Sequence, residues 1–102
     1  MAKIEWTDCA SDCLEEIHKY ILDKNPSAAH RVVEGIYTKI QLLADFPLIG
    51  QAYRSEKDGE IRTLIYGHYR IAYQLKATDS VTILGISHGA MEIEKLLGLH
   101  KK

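Results

Sequence analysis

The hydrophobic period of this chain changes once, close to residue 60, from the 3.6 of a helix to the 2 of a strand, so helices come first and most of the sheet afterwards. Before the change, Ala10, Cys13, Leu14, Ile17 and Ile21 stand at i, i+3, i+4, i+7 and i+11, one face of a helix. Thr7 or Asp8 can cap it, because either side-chain oxygen accepts from an orphan N–H two or three residues on. Asn25 and Pro26 interrupt the pattern as cap and first helical residue, where the missing N–H of proline costs nothing. A second stripe follows through Ala29, Val32, Val33, Ile36, Ile40, Leu43 and Phe46 and stops at Pro47, which disfavours helical geometry in the residue before it. Two amphipathic helices joined by so short a break form an αα-hairpin. Lys3 to Trp6, ahead of them, is a short β-prone start.

After Pro47-Leu48-Ile49-Gly50, the stretch Gln51 to Gly59 has no clear period and reads as a loop. Glu60 to Tyr66, Tyr69 to Lys76 and Ser80 to Ser87 are rich in Ile, Val, Tyr and Thr and read as a three-strand meander. Tyr69, Ile71, Tyr73 and Leu75 give one strand an apolar face, and Arg70, Ala72, Gln74 and Lys76 give it a more polar one. The loop at Gly67-His68 decides where Arg62 points. A two-residue loop pairs Tyr66 with Tyr69 and puts Arg62 on the face of Tyr73. A three-residue loop pairs Ile65 with Tyr69 and sets Arg62 beside Arg70; it is the preferred register because it gathers the apolar residues on one side. Met91 to Leu99 has the makings of a short helix. The order β-α-α-β-β-β implies an α+β domain spanning residues 1–102, with a mostly antiparallel four-stranded sheet packed on the helical hairpin.

Composition narrows the function classes. At 102 residues, 46% hydrophobic and 26% charged, the chain is long enough for one two-layer core and has the make-up of a folded, non-fibrous domain. A formal charge of −1 supplies no global field for nucleic acid or an anionic membrane. The charge is nonetheless divided: residues 1–60 hold seven Lys and Arg against eleven Asp and Glu, and residues 61–102 hold six against three. The sheet half is therefore the basic half, with Arg62, Arg70 and Lys76 as an anion-facing strip and Tyr66 and Tyr69 as stacking surface. His88 ends the last strand, where an imidazole projects past the sheet with a pKa suited to proton transfer. Cys9 and Cys13 share a helix face as two small buried residues, and the five histidines are too scattered for a metal site. No P-loop, dinucleotide glycine turn or nucleophile–histidine spacing is present, so no small-molecule substrate and no cofactor are expected. The apolar runs are far shorter than a membrane span, and Met1-Ala2-Lys3-Ile4-Glu5 lacks a signal-peptide core; the expected location is the cytoplasm.

Five segments in order carry a family resemblance over nearly the whole chain. They are Asp12-Cys13-Leu14-Glu15-Glu16-Ile17 with Tyr20-Ile21; Pro26, Ala28-Ala29 and Ile36; Leu43-Ala44-Asp45-Phe46-Pro47-Leu48-Ile49-Gly50; Arg62 with Tyr69-Arg70-Ile71-Ala72-Tyr73; and Ile86-Ser87-His88-Gly89-Ala90. Together they resemble the RelE/ParE superfamily of type II toxin–antitoxin toxins, nearer the ParE branch of plasmid stabilisation proteins.

The resemblance implies a bacterial toxin silenced by a cognate antitoxin, with the target set by branch. RelE-like members are ribosome-dependent endonucleases that cut mRNA with basic residues, often joined by His or Tyr; here Arg62, Arg70 and His88 would be that set. ParE-like members lack it and act on DNA gyrase, blocking replication; here Arg62, Arg70, Tyr66, Tyr69 and His88 would meet the target. Met91 and Glu92 stand where nucleases commonly carry an Arg and a later Tyr, which favours the gyrase-directed branch. A strip of about three cations is also a weak ribosome binder, since affinity for nucleic acid grows with the phosphates neutralised. An inactive member that only binds its partner is a third reading. Leu48, Ile49, Leu96, Leu97 and Leu99 are the apolar residues expected to be covered by the antitoxin.

Overall fold

The computed structural model describes residues 2–76 and 79–88. Strand β1 (Lys3–Trp6) leads into helices α1 (Asp8–Lys24) and α2 (Pro26–Gln41), which are followed by a 3₁₀ turn at Leu42–Ala44. Strands β2 (Gln51–Glu56), β3 (Gly59–Tyr66), β4 (Tyr69–Lys76) and β5 (Ser80–His88) complete the described chain. One five-stranded sheet runs in the order β1-β5-β4-β3-β2, with β1 parallel to β5 and every other pairing antiparallel. The architecture is the expected α+β one, and the helix expected at Met91–Leu99 lies outside the described residues.

Local chemistry explains the helix ends. Thr7 is the cap of α1: its hydroxyl oxygen accepts from the Ala10 amide at 3.1 Å and donates to the Ile83 carbonyl at 2.8 Å. One side chain thus starts the helix and ties its first turn to β5. Asn25 caps α2 through the Ala28 amide at 3.3 Å, with Pro26 at the first turn. The stripes pack as the spacing predicts, with Ala10, Ala29, Ile36, Ile40 and Leu43 buried. Phe46 departs from that pattern and is 57% exposed, because the α-helix ends at Gln41 and the tighter turn after it rotates Phe46 off the stripe. Cys9 and Cys13 are half-buried free thiols rather than buried ones.

Two expectations about the sheet are corrected. Gln51–Glu56 is a strand, not a loop, so the sheet has five strands. It lies at an edge and carries a bulge between Ala52 and Arg54, so its sequence lacks the alternation of a half-buried strand. The hairpin at Gly67-His68 has the two-residue loop: Tyr66 pairs with Tyr69, and Arg62 with Tyr73. Gly67, at φ +58°, supplies the positive φ that such a turn requires. Grouping the apolar residues of β3 on one side misleads here because the strand buries apolar residues on both. Leu64 faces the helices in the main core with Ile71, Tyr73, Ile83 and Ile86, while Ile61 belongs to a second cluster with Ala72 and Leu84.

Candidate functional site

Tyr73 and Arg62, facing each other across β4 and β3, are both committed to the loop that follows the helices. The buried Tyr73 hydroxyl donates to the Pro47 carbonyl at 2.7 Å and accepts from the Gly50 amide at 3.0 Å. Arg62 donates from Nη1 to the carbonyls of Leu48, at 3.1 Å, and Gly50, and from Nε to Glu60 Oε1 at 2.9 Å. Burial is the chief reason the Tyr73 hydroxyl is held above its ordinary pKa, with the Gly50 amide and Arg62 pulling the other way. Gly50 has no substitute, since a Cβ there would lie 2.5 Å from the Tyr73 hydroxyl oxygen and 2.8 Å from the Thr63 carbonyl. The clamp turns the apolar side chains of the loop outward: Leu48 is 62% exposed, and Ile49 and Phe46 flank it on the surface.

At the far end of the hairpin, His88 pairs with Tyr69 and meets it edge to face, with ring centroids 5.3 Å apart. The His68 ring stacks on His88 at 6.1 Å. Burial, and then the nearby Tyr20, raise the pKa of the Tyr69 hydroxyl. Tyr66 lies on the same face as Tyr69, with its hydroxyl end against Gly35 of α2. Arg70 points the other way. It is exposed on the opposite face of the sheet, in a cross-strand row with Ile65 and Ser87. Among the residues singled out by sequence, Tyr66, Tyr69 and His88 therefore share the helix-facing side. Arg62 shares that side too, but is spent on the loop, and Arg70 lies on the other, the face it shares along β4 with Lys76. The expected juxtaposition of Arg62 and Arg70 is not formed, because the two-residue turn shifts their registers onto opposite faces. Leu96, Leu97 and Leu99 lie outside the described residues.

A groove of about 570 Å³ opens between α1 and α2, lined mainly by Trp6, Leu14, His18, Val33 and Tyr37. Trp6 and Tyr37 form its stacked aromatic wall, 6.2 Å between centroids and 16° from parallel. Sequence reasoning missed both; the available signal was an aromatic at position 37 just off the apolar stripe of α2. Among the described residues, no three His, Cys, Asp or Glu side chains gather in a way that would hold a metal ion.

The family model for the ParE toxin of the parDE type II toxin–antitoxin system matches residues 4–93. This chain belongs to the ParE toxin family. Y4kP of Sinorhizobium fredii, a toxin by name, is 34% identical over 95 residues, covering 93% of this chain and 96% of that one. The chromosomal ParDE system from P. aeruginosa has the same fold, with a TM-score of 0.71 at 22% identity over 86% of this chain and 96% of its own. The RelBE2 toxin–antitoxin complex from Mycobacterium tuberculosis follows at a TM-score of 0.58 and 25% identity, over 85% of this chain and 96% of its own.

As a ParE-family chain, the protein puts its polar groups to structural use. In the Arg62–Tyr73 clamp, the Nε and Nη1 donors of Arg62 are taken up by Glu60 and by the carbonyls of Leu48 and Gly50. The imidazoles of His68 and His88 sit beside Tyr69, on the opposite side of the sheet from Arg70. Among the described residues, apolar surface is exposed at Phe46, Leu48 and Ile49 and in the Trp6–Tyr37 groove, and Arg70 is exposed on the opposite face of the sheet.

Proposed function

We propose that this ParE-family toxin poisons DNA gyrase by docking on it, and that an antitoxin silences it in the cytoplasm. The observation that carries this reading is the separation of Arg62, Arg70 and His88. Phosphodiester cleavage needs a proton-transfer group and charge stabilisation converging on one phosphate. Here one arginine is bonded to backbone carbonyls and the other lies across the sheet from the histidine. That arrangement favours a docking protein over a ribonuclease. The antitoxin assignment is supported by the two toxin–antitoxin systems among the structural relatives and by apolar surface suited to an amphipathic partner segment, at Leu48, Ile49 and the Trp6–Tyr37 groove.

The test is expression without antitoxin, following DNA and protein synthesis in one culture, alongside supercoiling by purified gyrase with added toxin. DNA synthesis falling first, with supercoiling blocked, is the expected result. Translation falling first, with supercoiling untouched, would instead identify an mRNA endonuclease, and no growth effect at all would identify a member that only binds its partner.

A further inference from the structure

Helix α2 presents a flank on either side of its buried stripe of Ala29, Ile36 and Ile40. Val33 and Tyr37 face the groove with α1. On the other flank a second recess, of about 420 Å³, opens between α2 and the end of β3, lined by Arg31, Thr38, Lys39, Leu42 and Tyr66. Gly35 shapes it: a Cβ there would lie 1.9 Å from the Tyr66 hydroxyl oxygen, so the missing side chain is what lets the phenol reach the helix. The polar lining is nearly all donor. Arg31 offers a guanidinium fork, Lys39 an ammonium on a half-buried side chain, and Thr38 and Tyr66 a hydroxyl each. Glu34 stands at the rim, with Oε2 3.4 Å from Nε2 of His30. Among the described residues, neither Arg31 nor Lys39 has a carboxylate within ion-pair distance.

We propose that this recess takes a carboxylate of the antitoxin, from an Asp or Glu side chain of its docking segment; the proposal rests on the antitoxin reading above. The chemistry selects the group. Two cations and two hydroxyls around one recess match the oxygens of a carboxylate, which arginine grips two at a time. A nucleic-acid strand would need cations in a row to follow its phosphates, whereas Arg31 and Lys39 flank a single recess with Glu34 at its rim. Charge complementarity points the same way. Helix α1 carries Asp8, Asp12, Glu15, Glu16 and Asp23 against Lys19 and Lys24, while α2 carries Glu34 against Arg31 and Lys39, so α2 is the helix that attracts an acidic partner. Position selects the source. Leu42 lines the recess and is 41% exposed, and the Phe46 amide donates to the Leu42 carbonyl at 2.9 Å, so the recess runs into the exposed Phe46–Ile49 loop. An amphipathic segment that covers that loop with its apolar side brings a flanking acidic residue to Arg31 and Lys39.

The test titrates the full chain by calorimetry, with the product of the gene adjoining its own as the antitoxin probe. Arg31→Gln with Lys39→Gln is expected to weaken binding at least about tenfold and to flatten its salt dependence. Lys39→Arg, which keeps the charge, should bind like the parent. Parent-like affinity in the double variant overturns the proposal and leaves the antitoxin reading standing; no binding by the parent chain overturns that reading and the proposal with it. A second measurement needs no variant to fold: when the complex forms, the Arg31 Nε–H resonance should shift and its exchange with water should slow, and an unmoved resonance overturns the carboxylate contact. A single-stranded oligonucleotide bound by the parent chain and lost in the double variant would assign the recess to nucleic acid, which overturns it as well.

Discussion

Arg62 and Tyr73 stand directly opposite one another on adjacent strands, and between them they bond four polar groups of a single loop: the carbonyls of Pro47, Leu48 and Gly50 and the amide of Gly50. These bonds tie the loop to the sheet through its buried end at Gly50, while its apolar side chains at Leu48 and Ile49 face solvent.

Removing the Tyr73 hydroxyl tests the clamp most directly. Tyr73→Phe leaves the Gly50 amide and the Pro47 carbonyl without their partner, at a cost of about 1–3 kcal/mol. The melting temperature should fall by about 4–8 °C per kcal/mol, measured by circular dichroism.

The same phenol predicts an alkaline limit to stability. Its folded pKa lies above the ordinary 10.0, so the folded state holds the proton more tightly than the unfolded state does. The stabilisation is complete below pH 10.0 and is lost as pH rises through the folded value. Denaturant midpoints should be flat up to about pH 10.0, where the unfolded phenol begins to ionise, and fall from there until the folded value is passed. Tyr73→Phe should remove part of the slope; Tyr69, also raised by burial, accounts for some of the rest.

The two arginines should separate cleanly. Arg62→Ala removes three hydrogen bonds and is expected to destabilise by about 1–3 kcal/mol. Arg70→Ala, at an exposed position, should change stability by less than about 0.5 kcal/mol. Any loss of the proposed gyrase inhibition by the Arg70 variant would then report on docking rather than on folding; equal destabilisation by the two would contradict the assignment.

Gly35 and Tyr66 should be coupled. A Cβ at Gly35 would lie 1.9 Å from the Tyr66 hydroxyl oxygen and 2.3 Å from the ring carbon that bears it. Gly35→Ala should therefore destabilise the protein. Combined with Tyr66→Leu, it should cost at least about 0.5 kcal/mol less than the sum of the two single changes, a coupling measurable by a double-mutant cycle in urea.

Thr7→Ala should cost about 0.5–2 kcal/mol, because it removes the cap of α1 and its bond to the Ile83 carbonyl together. A loss below that range would show that the Ile83 bond contributes nothing beyond its replacement by water.

Local chemistry was enough to determine the helices. The caps at Thr7 and Asn25, the break at Pro26 and the apolar stripes are each set within a few residues, and the period change near residue 60 settles helices before meander. The family could also be read, because its segments are contiguous. What only the tertiary structure decided are matters of pairing between distant segments. Gln51–Glu56 is a strand because β3 offers it an edge, not because its own residues alternate. The hairpin register was undetermined because β3 buries apolar residues on both faces, so sorting apolar from polar did not select one. That register in turn parts Arg62 from Arg70 and gives Arg62 to the Pro47–Gly50 loop, a contact spanning 12 to 14 residues that no local spacing announces. A side chain's face follows from its strand, but its role follows from what the fold brings opposite it.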